Sequence, residues 1–166
     1  MNAMKKILAL ALAGAMALAL LTGCGTGGSA SHKSIAKAMA DYDNGQHFKT
    51  TITCTSSAVL DAKLQELAAK TEFENVVKAV YNGQSPTIPT GIVIPNNKVI
   101  YLYCGKYDKD AGKQAINLNA HSACINTYIS SPPSLAAVRQ IGLITTSFTD
   151  TNGEKVKVRF AVVVSD

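Results

Sequence analysis

The sequence predicts an α+β domain, built from an antiparallel sheet of four or five strands with helices packed on one face. Three observations indicate this class: segments with helical apolar spacing, segments that alternate apolar and polar residues, and a strong hairpin pattern at the C-terminus. Helices and strands do not alternate strictly, which argues against a parallel β–α–β architecture. The chain has 166 residues, of which 16% are charged, and this length corresponds to a single folded domain.

The chain begins with a basic and then an apolar segment. Lys5 and Lys6 precede an uninterrupted run of small and apolar residues over 7–21. A helix of that length rises only about 22 Å, which is short for a hydrocarbon core of about 30 Å. The segment is therefore typical of a signal peptide rather than of a permanent membrane span.

The apolar run ends in four residues whose order is informative: Leu21, Thr22, Gly23 and Cys24. This order resembles the lipobox of bacterial lipoproteins, in which Leu, a small residue and Gly or Ala precede a cysteine. The resemblance implies that residues 1–23 are a signal peptide and that Cys24 becomes the lipidated first residue. Several acyl chains then anchor the protein on the extracytoplasmic side of the cell membrane or the outer membrane, since a single chain anchors only marginally. The alternative is a signal anchor with an incidental cysteine.

A short tether separates this cysteine from the folded part of the chain. Residues 24–31 comprise Cys24 and a run of Gly, Ser, Thr and Ala, a composition typical of flexible linkers. A single α+β domain is then predicted over 32–166. The basic residues of this domain are scattered along the chain, so no nucleic-acid partner is predicted.

The first elements of the domain are a helix and a strand. A helix is predicted over 31–43, where four apolar residues recur at helical spacing: Ile35, Ala38, Met39 and Tyr42. Ser31 or Ser34 is placed to cap its first turn. Residues 47–54 alternate in the manner of a half-buried strand.

The segment over 57–81 is helical, but its apolar face changes near Lys70. Two helices with a break there are predicted, and a single bent helix is the alternative. Thr71 and Glu74 have the spacing of a capping box, in which each side chain bonds the backbone N–H of the other residue.

A hairpin is predicted next, from strands over 91–95 and 98–104 joined at Asn96 and Asn97. Pro95 cannot donate a ladder hydrogen bond, which favours an edge position for the first of these strands.

Two helices are predicted between this hairpin and the C-terminal strands. One covers 113–129, although its apolar residues do not keep to one face. A shorter one runs to Gln140 and begins at Ser131 and Pro132, which are typical of a helix start.

The C-terminal hairpin joins strands over 141–149 and 154–164. A three-residue loop with Gly153 in the left-handed conformation pairs Phe148 with Val156 and gathers the apolar residues on one face. A two-residue loop divides them between both faces, so the longer loop is predicted. The predicted apolar face consists of Ile144, Phe148, Val156, Val158, Phe160 and Val162.

The opposite face of this hairpin is the candidate binding surface. It is rich in hydroxyl and basic groups, namely Thr145, Ser147, Thr149, Lys155, Lys157 and Arg159. Tyr101 and Tyr103 share one face of the 98–104 strand and add an exposed aromatic patch if Ile100 and Leu102 face the core. A central strand covered on both sides is the alternative. Such a surface is suited to an acidic envelope polymer or to a protein partner.

Three cysteines remain after signal removal: Cys54, Cys104 and Cys124. Export permits disulfides, and an odd number leaves one or three thiols free. Cys104–Cys124 is the first candidate disulfide and Cys54–Cys104 the second. Three reduced, buried thiols are the alternative.

No catalytic, cofactor or metal site is predicted. The sequence has no Cys-x-x-Cys, nucleophile elbow or phosphate loop. A Cys–His nucleophile pair requires His47 or His121 beside a thiol, and no local motif indicates one. Asp108 and Asp110 indicate a solvated turn, since calcium needs further oxygen ligands.

These observations favour a non-catalytic, membrane-anchored binding or interaction module of the bacterial cell envelope. A small envelope hydrolase and an assembly lipoprotein of an envelope complex are the alternatives. Ser131-Pro132, followed by Ile141-Gly142 and the final hairpin, resembles the C-terminal third of bacterial CAP (SCP-like) domains. Pro133 stands where that family carries a histidine, so the resemblance implies a degenerate member.

Overall fold

A computed structural model describes residues 29–46, 51–88, 99–126 and 136–165. The helices are α1 (His32–Gln46), α2 (Ala58–Ala68), α3 (Phe73–Tyr81) and α4 (Ala111–Asn119). The strands are β1 (Thr51–Ser56), β2 (Val99–Lys106), β3 (Ser122–Asn126), β4 (Ala136–Thr149) and β5 (Lys155–Ser165). The predicted α+β class is confirmed. Among these helices, none has the length and apolar content needed to cross a bilayer.

The strands form one five-stranded sheet in the order β1-β4-β5-β2-β3. The pairs within β4-β5-β2-β3 are antiparallel, whereas β1 runs parallel to β4. The prediction of a purely antiparallel sheet is therefore wrong. Parallel strands need a long crossover, and the chain between β1 and β4 supplies one, which local patterns did not reveal.

Helices cover both faces of the sheet, which corrects the prediction of helices on one face. The first face is packed by α2 and α3, through residues such as Leu64 and Val77. The second face is packed by α1 and α4, through residues such as Ile35 and Leu118. The physical reason is that the central strands carry apolar residues on both sides along part of their length, as buried strands do.

The C-terminal hairpin has the predicted register. Phe148 pairs with Val156 and Ile144 pairs with Phe160. The backbone N–H of Asp150 donates to the carbonyl of Glu154 over 2.9 Å, and Gly153 has a φ of 82°. Of the predicted apolar face, three residues are buried in the core of the first face, and three are half-buried and pack against that core: Phe148, Val158 and Phe160, then Ile144, Val156 and Val162.

Two glycines let helices approach the sheet closely, one on each face. A Cβ on Gly142 of β4 would lie 2.6 Å from the backbone carbon of Leu60 in α2. A Cβ on Gly105 of β2 would lie 2.3 Å from the carbonyl oxygen of Asn117 in α4. Neither helix could keep its position if these residues had side chains.

The first three helices follow their predicted patterns, with one exception. Ser31 caps α1 by accepting the N–H of Ser34 over 3.1 Å, and the chain breaks between α2 and α3 as predicted. The capping box is not formed, because the carboxylate of Glu74 accepts the N–H of Thr149 over 3.1 Å instead. That contact attaches α3 to the end of β4.

The region after β2 differs from its prediction. The helix expected over 113–129 ends with α4, and β3 follows it beside β2. The stretch expected as a short helix to Gln140 contains the start of β4 at Ala136. Pairing with distant strands outweighs the local helical pattern in both places.

Some predicted features lie outside the described residues. These are the first part of the strand over 47–54, the strand over 91–95 with its Asn turn, and the Ser-Pro start at 131–133.

Candidate functional site

The second face of the sheet has a covered half and an open half. In the covered half, Leu143 of β4 and Val163 of β5 are buried beneath α1 and α4. Further along the same two strands the side chains are exposed or half-buried and polar. We call this group the open patch, and it consists of Thr145, Ser147, Lys155 and Lys157. These residues belong to the binding surface predicted from the sequence.

The strand register brings the open patch together. Ser147 pairs with Lys157, and Thr145 pairs with Arg159 on the same two strands. Side chains opposite each other on one face have Cβ atoms about 5 Å apart. The four residues line a shallow depression of about 430 Å³ together with Thr146. Ammonium and hydroxyl groups in this arrangement are able to donate hydrogen bonds to anionic oxygens.

The N-terminal segment docks at the boundary between the two halves. The hydroxyl oxygens of Tyr107 and Ser29 are hydrogen-bonded at 2.9 Å, and Arg159 Nη2 donates to Ser29 Oγ over 2.8 Å. The N–H of Ala30 donates to the carbonyl of Lys109 over 2.8 Å. The last residues of the predicted tether therefore contact the folded domain.

Tyr107 connects this docked segment to the open patch. Lys157 Nζ lies 3.9 Å from the centre of the Tyr107 ring, and Arg159 Cζ lies 5.0 Å from it, both within cation–π range. The hydrogen bond with Ser29 lowers the pKa of Tyr107, and the charges of Arg159 and Lys157 act in the same direction. The ring thus orients Lys157 at the edge of the docked segment.

A buried glutamine fixes the turn that carries Tyr107. Gln114 of α4 is fully buried. Its Nε2 donates to the carbonyl of Lys106 over 3.1 Å, and its Oε1 accepts the N–H of Asp108 over 2.8 Å. Sequence reasoning missed this residue, because a single Gln inside a helix carries no local pattern.

Arg159 does not belong to the exposed surface, which corrects its predicted role. It is only 3% exposed, and burial lowers its pKa. The guanidinium holds the docked segment, and its Nε has no hydrogen-bond partner within the described part of the chain. Strand alternation predicts the correct face for Arg159 but cannot predict that Ser29 and Ala30 cover it.

The two tyrosines of β2 are likewise in the covered half. Tyr103 is buried and Tyr101 is half-buried beneath α1 and α4, so the alternative of a central, covered strand is the observed one. Burial raises the pKa of Tyr103. Arg139 of β4 forms an ion pair with Asp43 of α1. This pair lies at the end of the covered half that is farther from the open patch.

Neither candidate disulfide is formed in the structure, where Cys54 and Cys104 are free thiols. Cys124 pairs with Tyr101, three residues along β2 from Cys104. Three residues of a strand span about 10 Å, beyond the Cα separation of ~7 Å that a disulfide allows. Cys54 is in β1, which β4 and β5 separate from β2. Burial raises the pKa of Cys54 to about 11 and that of Cys104 to about 12.

The imidazoles of His121 and His32 both contact side chains of neighbouring elements. The His121 ring stacks on Tyr81 with centroids 4.9 Å apart. His32 Nδ1 lies 3.0 Å from Asp61 Oδ2, and the other oxygen of Asp61 accepts the N–H of Leu143 over 2.8 Å. This His32–Asp61 contact links α1 to α2. His47 lies outside the described residues.

The acidic turn has the predicted form. Asp108 accepts the N–H of Asp110 over 2.8 Å, and Asp110 caps α4 by accepting the N–H of Lys113 over 2.9 Å. Within the described ranges, no group of three or more His, Cys, Asp or Glu residues is placed to hold a metal ion.

A groove of about 630 Å³ adjoins the open patch at the hairpin end of the sheet. Four lysines line it, and two of them are shared with the open patch: Lys78, Lys106, Lys155 and Lys157. Asp150 and Glu154 contribute acidic groups at the hairpin turn. Sequence reasoning missed this groove because its residues come from separate elements that only the sheet order brings together.

Comparison of the chain with protein-family models, with curated proteins and with solved structures returned no match.

Proposed function

We propose that the protein is a lipid-anchored, extracytoplasmic lipoprotein of the bacterial cell envelope, with a non-catalytic domain that binds anionic groups. The anchor is assigned to Cys24 on the lipobox resemblance of residues 1–24. The binding site is assigned to the open patch. One observation carries this assignment: the lysines and hydroxyl groups form an uncovered end of an otherwise covered sheet face.

The chemistry of the open patch suits phosphate or carboxylate groups. Lys155 and Lys157 are both exposed, and their strand presents them on one face. Thr145 and Ser147 add hydroxyl donors at neighbouring positions. Binding between solvent-exposed charges is screened by salt, so the affinity is expected to fall as ionic strength rises.

The two described thiols are not activated as nucleophiles. A catalytic cysteine acts as a thiolate and requires a lowered pKa. Burial instead raises the pKa values of Cys54 and Cys104, so both remain protonated at neutral pH.

Charge reversal tests the binding site. The double variant Lys155→Glu/Lys157→Glu is compared with the native protein for binding to soluble poly(glycerol phosphate), measured by isothermal titration calorimetry. We expect affinity to fall at least about tenfold, because two attractive charges become repulsive at one site. Arg159 is left unchanged because it is buried.

The matched control is Lys63→Glu/Lys70→Glu, which reverses two exposed lysines in and after α2 on the first-face side. This control has the same net charge as the test variant, so it separates a local site from a general charge effect. Equal binding by the two double variants, with unchanged circular dichroism, would contradict the proposed site.

The anchor is tested separately by Cys24→Ser. The variant is expected to lose acyl labelling and precursor cleavage, because the acylated side chain is absent. Normal acylation or normal cleavage of this variant would contradict the lipoprotein assignment.

A further inference from the structure

The docked segment limits how far the domain can move from its anchor. Ser29 and Ala30 are held by Arg159, Tyr107 and the backbone of Lys109. Lipidation at Cys24 would leave only residues 25–28 between the acylated residue and this docking point. The five Cα–Cα steps from Cys24 to Ser29 reach at most about 18 Å when the chain is fully extended. The domain itself is roughly 35 Å across, so its far side cannot turn to the membrane without losing these contacts.

Basic groups surround the point at which the chain enters the domain. Lys157 lies over the same tyrosine ring that binds Ser29. Lys155 precedes it on the same strand and face, and Lys106 and Lys157 line one groove. Acidic groups lie beside these lysines as well: Asp108, Asp110 and Asp150 accept backbone N–H groups of their own turns, and Glu154 lines the groove next to Lys155.

This arrangement is complementary to a bilayer that carries anionic phospholipids. Lysines near such a surface gain attraction within about one Debye length, roughly 8 Å at physiological ionic strength. The short linker keeps the lysines close to the headgroups and so raises their effective concentration there. The hydroxyl groups of Thr145 and Ser147 add donors for phosphate oxygens.

We infer that the anionic partner of the open patch is the phosphate-bearing headgroup layer of the membrane to which the protein is anchored. The docked Ser29–Ala30 segment holds the open patch against that layer, and the first-face helices point away from it. This inference rests on the proposed function, because it requires the lipid anchor at Cys24.

The test uses the full-length lipidated protein in vesicles of two compositions. One contains phosphatidylcholine only, and the other contains phosphatidylcholine and phosphatidylglycerol in equal amounts. Lysines are acetylated with a water-soluble reagent, and the rate at each position is measured by mass spectrometry. On the anionic vesicles, the rates at Lys155 and Lys157 are expected to fall about fivefold, the factor that one lysine gains at such a surface. Lys63 and Lys70 should react equally on both vesicles.

Each remaining outcome overturns a distinct claim. Equal rates at Lys155 and Lys157 on both vesicles, with the protein still acylated and vesicle-bound, would overturn the membrane contact but not the anchored binding module. Protection by added poly(glycerol phosphate) on neutral vesicles, with none from phosphatidylglycerol, would identify a polymer as the partner. A protein without acyl groups would overturn the lipid anchor and with it the membrane contact, but not anion binding by the open patch.

A linker variant tests the role of the short connection. A long Gly-Ser insertion between Gly25 and Thr26 leaves the domain unchanged and lengthens the reach of the chain. Protection on anionic vesicles should weaken, because effective concentration falls with linker length. Undiminished protection would overturn the claim that the short linker holds the open patch on the bilayer.

Discussion

The two faces of the sheet use the same strands in different ways. On the first face, β5 places Val156, Val158 and Phe160 in a continuous apolar core. On the second face, the intervening residues of β5 change from apolar to basic partway along the strand, from Val163 to Lys157. The helices α1 and α4 cover only the apolar part.

This difference separates stability from binding within one hairpin. The first face buries apolar side chains at the hairpin end of the strands, whereas the open patch buries little surface and has no helix over it. Substitutions on the first face should therefore change the free energy of unfolding, and substitutions in the open patch should change binding. The predictions that follow test this separation, from the largest effect to the smallest.

Phe160→Ala should cause the largest loss of unfolding free energy. Phe160 is fully buried and meets the ring edge of Phe73 at 5.5 Å between centroids. Loss of burial and the resulting cavity should lower the free energy of unfolding by about 3–5 kcal/mol, measured by chemical denaturation. Lys155→Ala on the same strand is the control and should change it by less than about 0.5 kcal/mol. Similar losses of unfolding free energy in both variants would contradict the separation of stability from binding.

Gly105→Ala and Gly142→Ala should cause the next largest loss of unfolding free energy. Each new Cβ would meet the backbone of a helix, and overpacking of this kind costs about 1–3 kcal/mol or more. Gly45→Ala is the control, because no atom lies within 4 Å of its Cβ position. Comparable losses at Gly105 and Gly142 would show that both faces carry tightly packed helices. A neutral Gly105→Ala would contradict the position of α4.

Gly153→Val tests the hairpin turn alone. Gly153 has a φ of 82° and no atom within 4 Å of a Cβ, so the cost is purely a matter of backbone conformation. A loss of about 1–2 kcal/mol is expected on thermal or chemical unfolding. Gly153→Asn should cost less, since Asn adopts the left-handed region more readily. Identical losses of unfolding free energy for Gly153→Val and Gly153→Asn would rule out backbone conformation as the cause.

Alkaline pH should lower the free energy of unfolding, because one thiol with a raised pKa packs on each face of the sheet. Burial raises the pKa of Cys54 to about 11 and of Cys104 to about 12, from an ordinary value of 9.0. The folded protein therefore holds these protons more tightly than the unfolded chain, and the resulting stability is complete below pH 9 and decreases as pH rises toward 11 and 12. Cys54→Ser and Cys104→Ser should each flatten this decline in unfolding free energy against pH. A slope that neither variant changes would exclude the thiols as its source.

The sequence predicts the C-terminal hairpin well because its determinants are local. The turn residues and the alternation of Phe148, Val156 and Phe160 together specify one register. The parallel position of β1, the strand β3 and the helices on the second face depend on contacts between distant segments. Periodicity within a segment does not contain that information.

The candidate site shows the same division. The positions of Thr145, Ser147, Lys155 and Lys157 on one face follow from strand alternation. The burial of Arg159 and Tyr103 depends on α1, α4 and the docked N-terminal segment, none of which alternation reveals. The sequence therefore predicts which side chains share a face, and the tertiary structure determines which part of that face is open.

The parallel pairing of β1 with β4 has a consequence for the order of folding. The hairpin of β4 and β5 closes a loop of a few residues, whereas β1 and β4 join positions as distant as Thr51 and Ala136. Short loops close fast and long ones slowly, because the entropy lost on closure grows with loop length. The export proposed for this protein would deliver β1 long before its partner, since the N-terminus would cross first. The sheet of this protein can be completed only after β5 is available, since β5 joins β4 to β2.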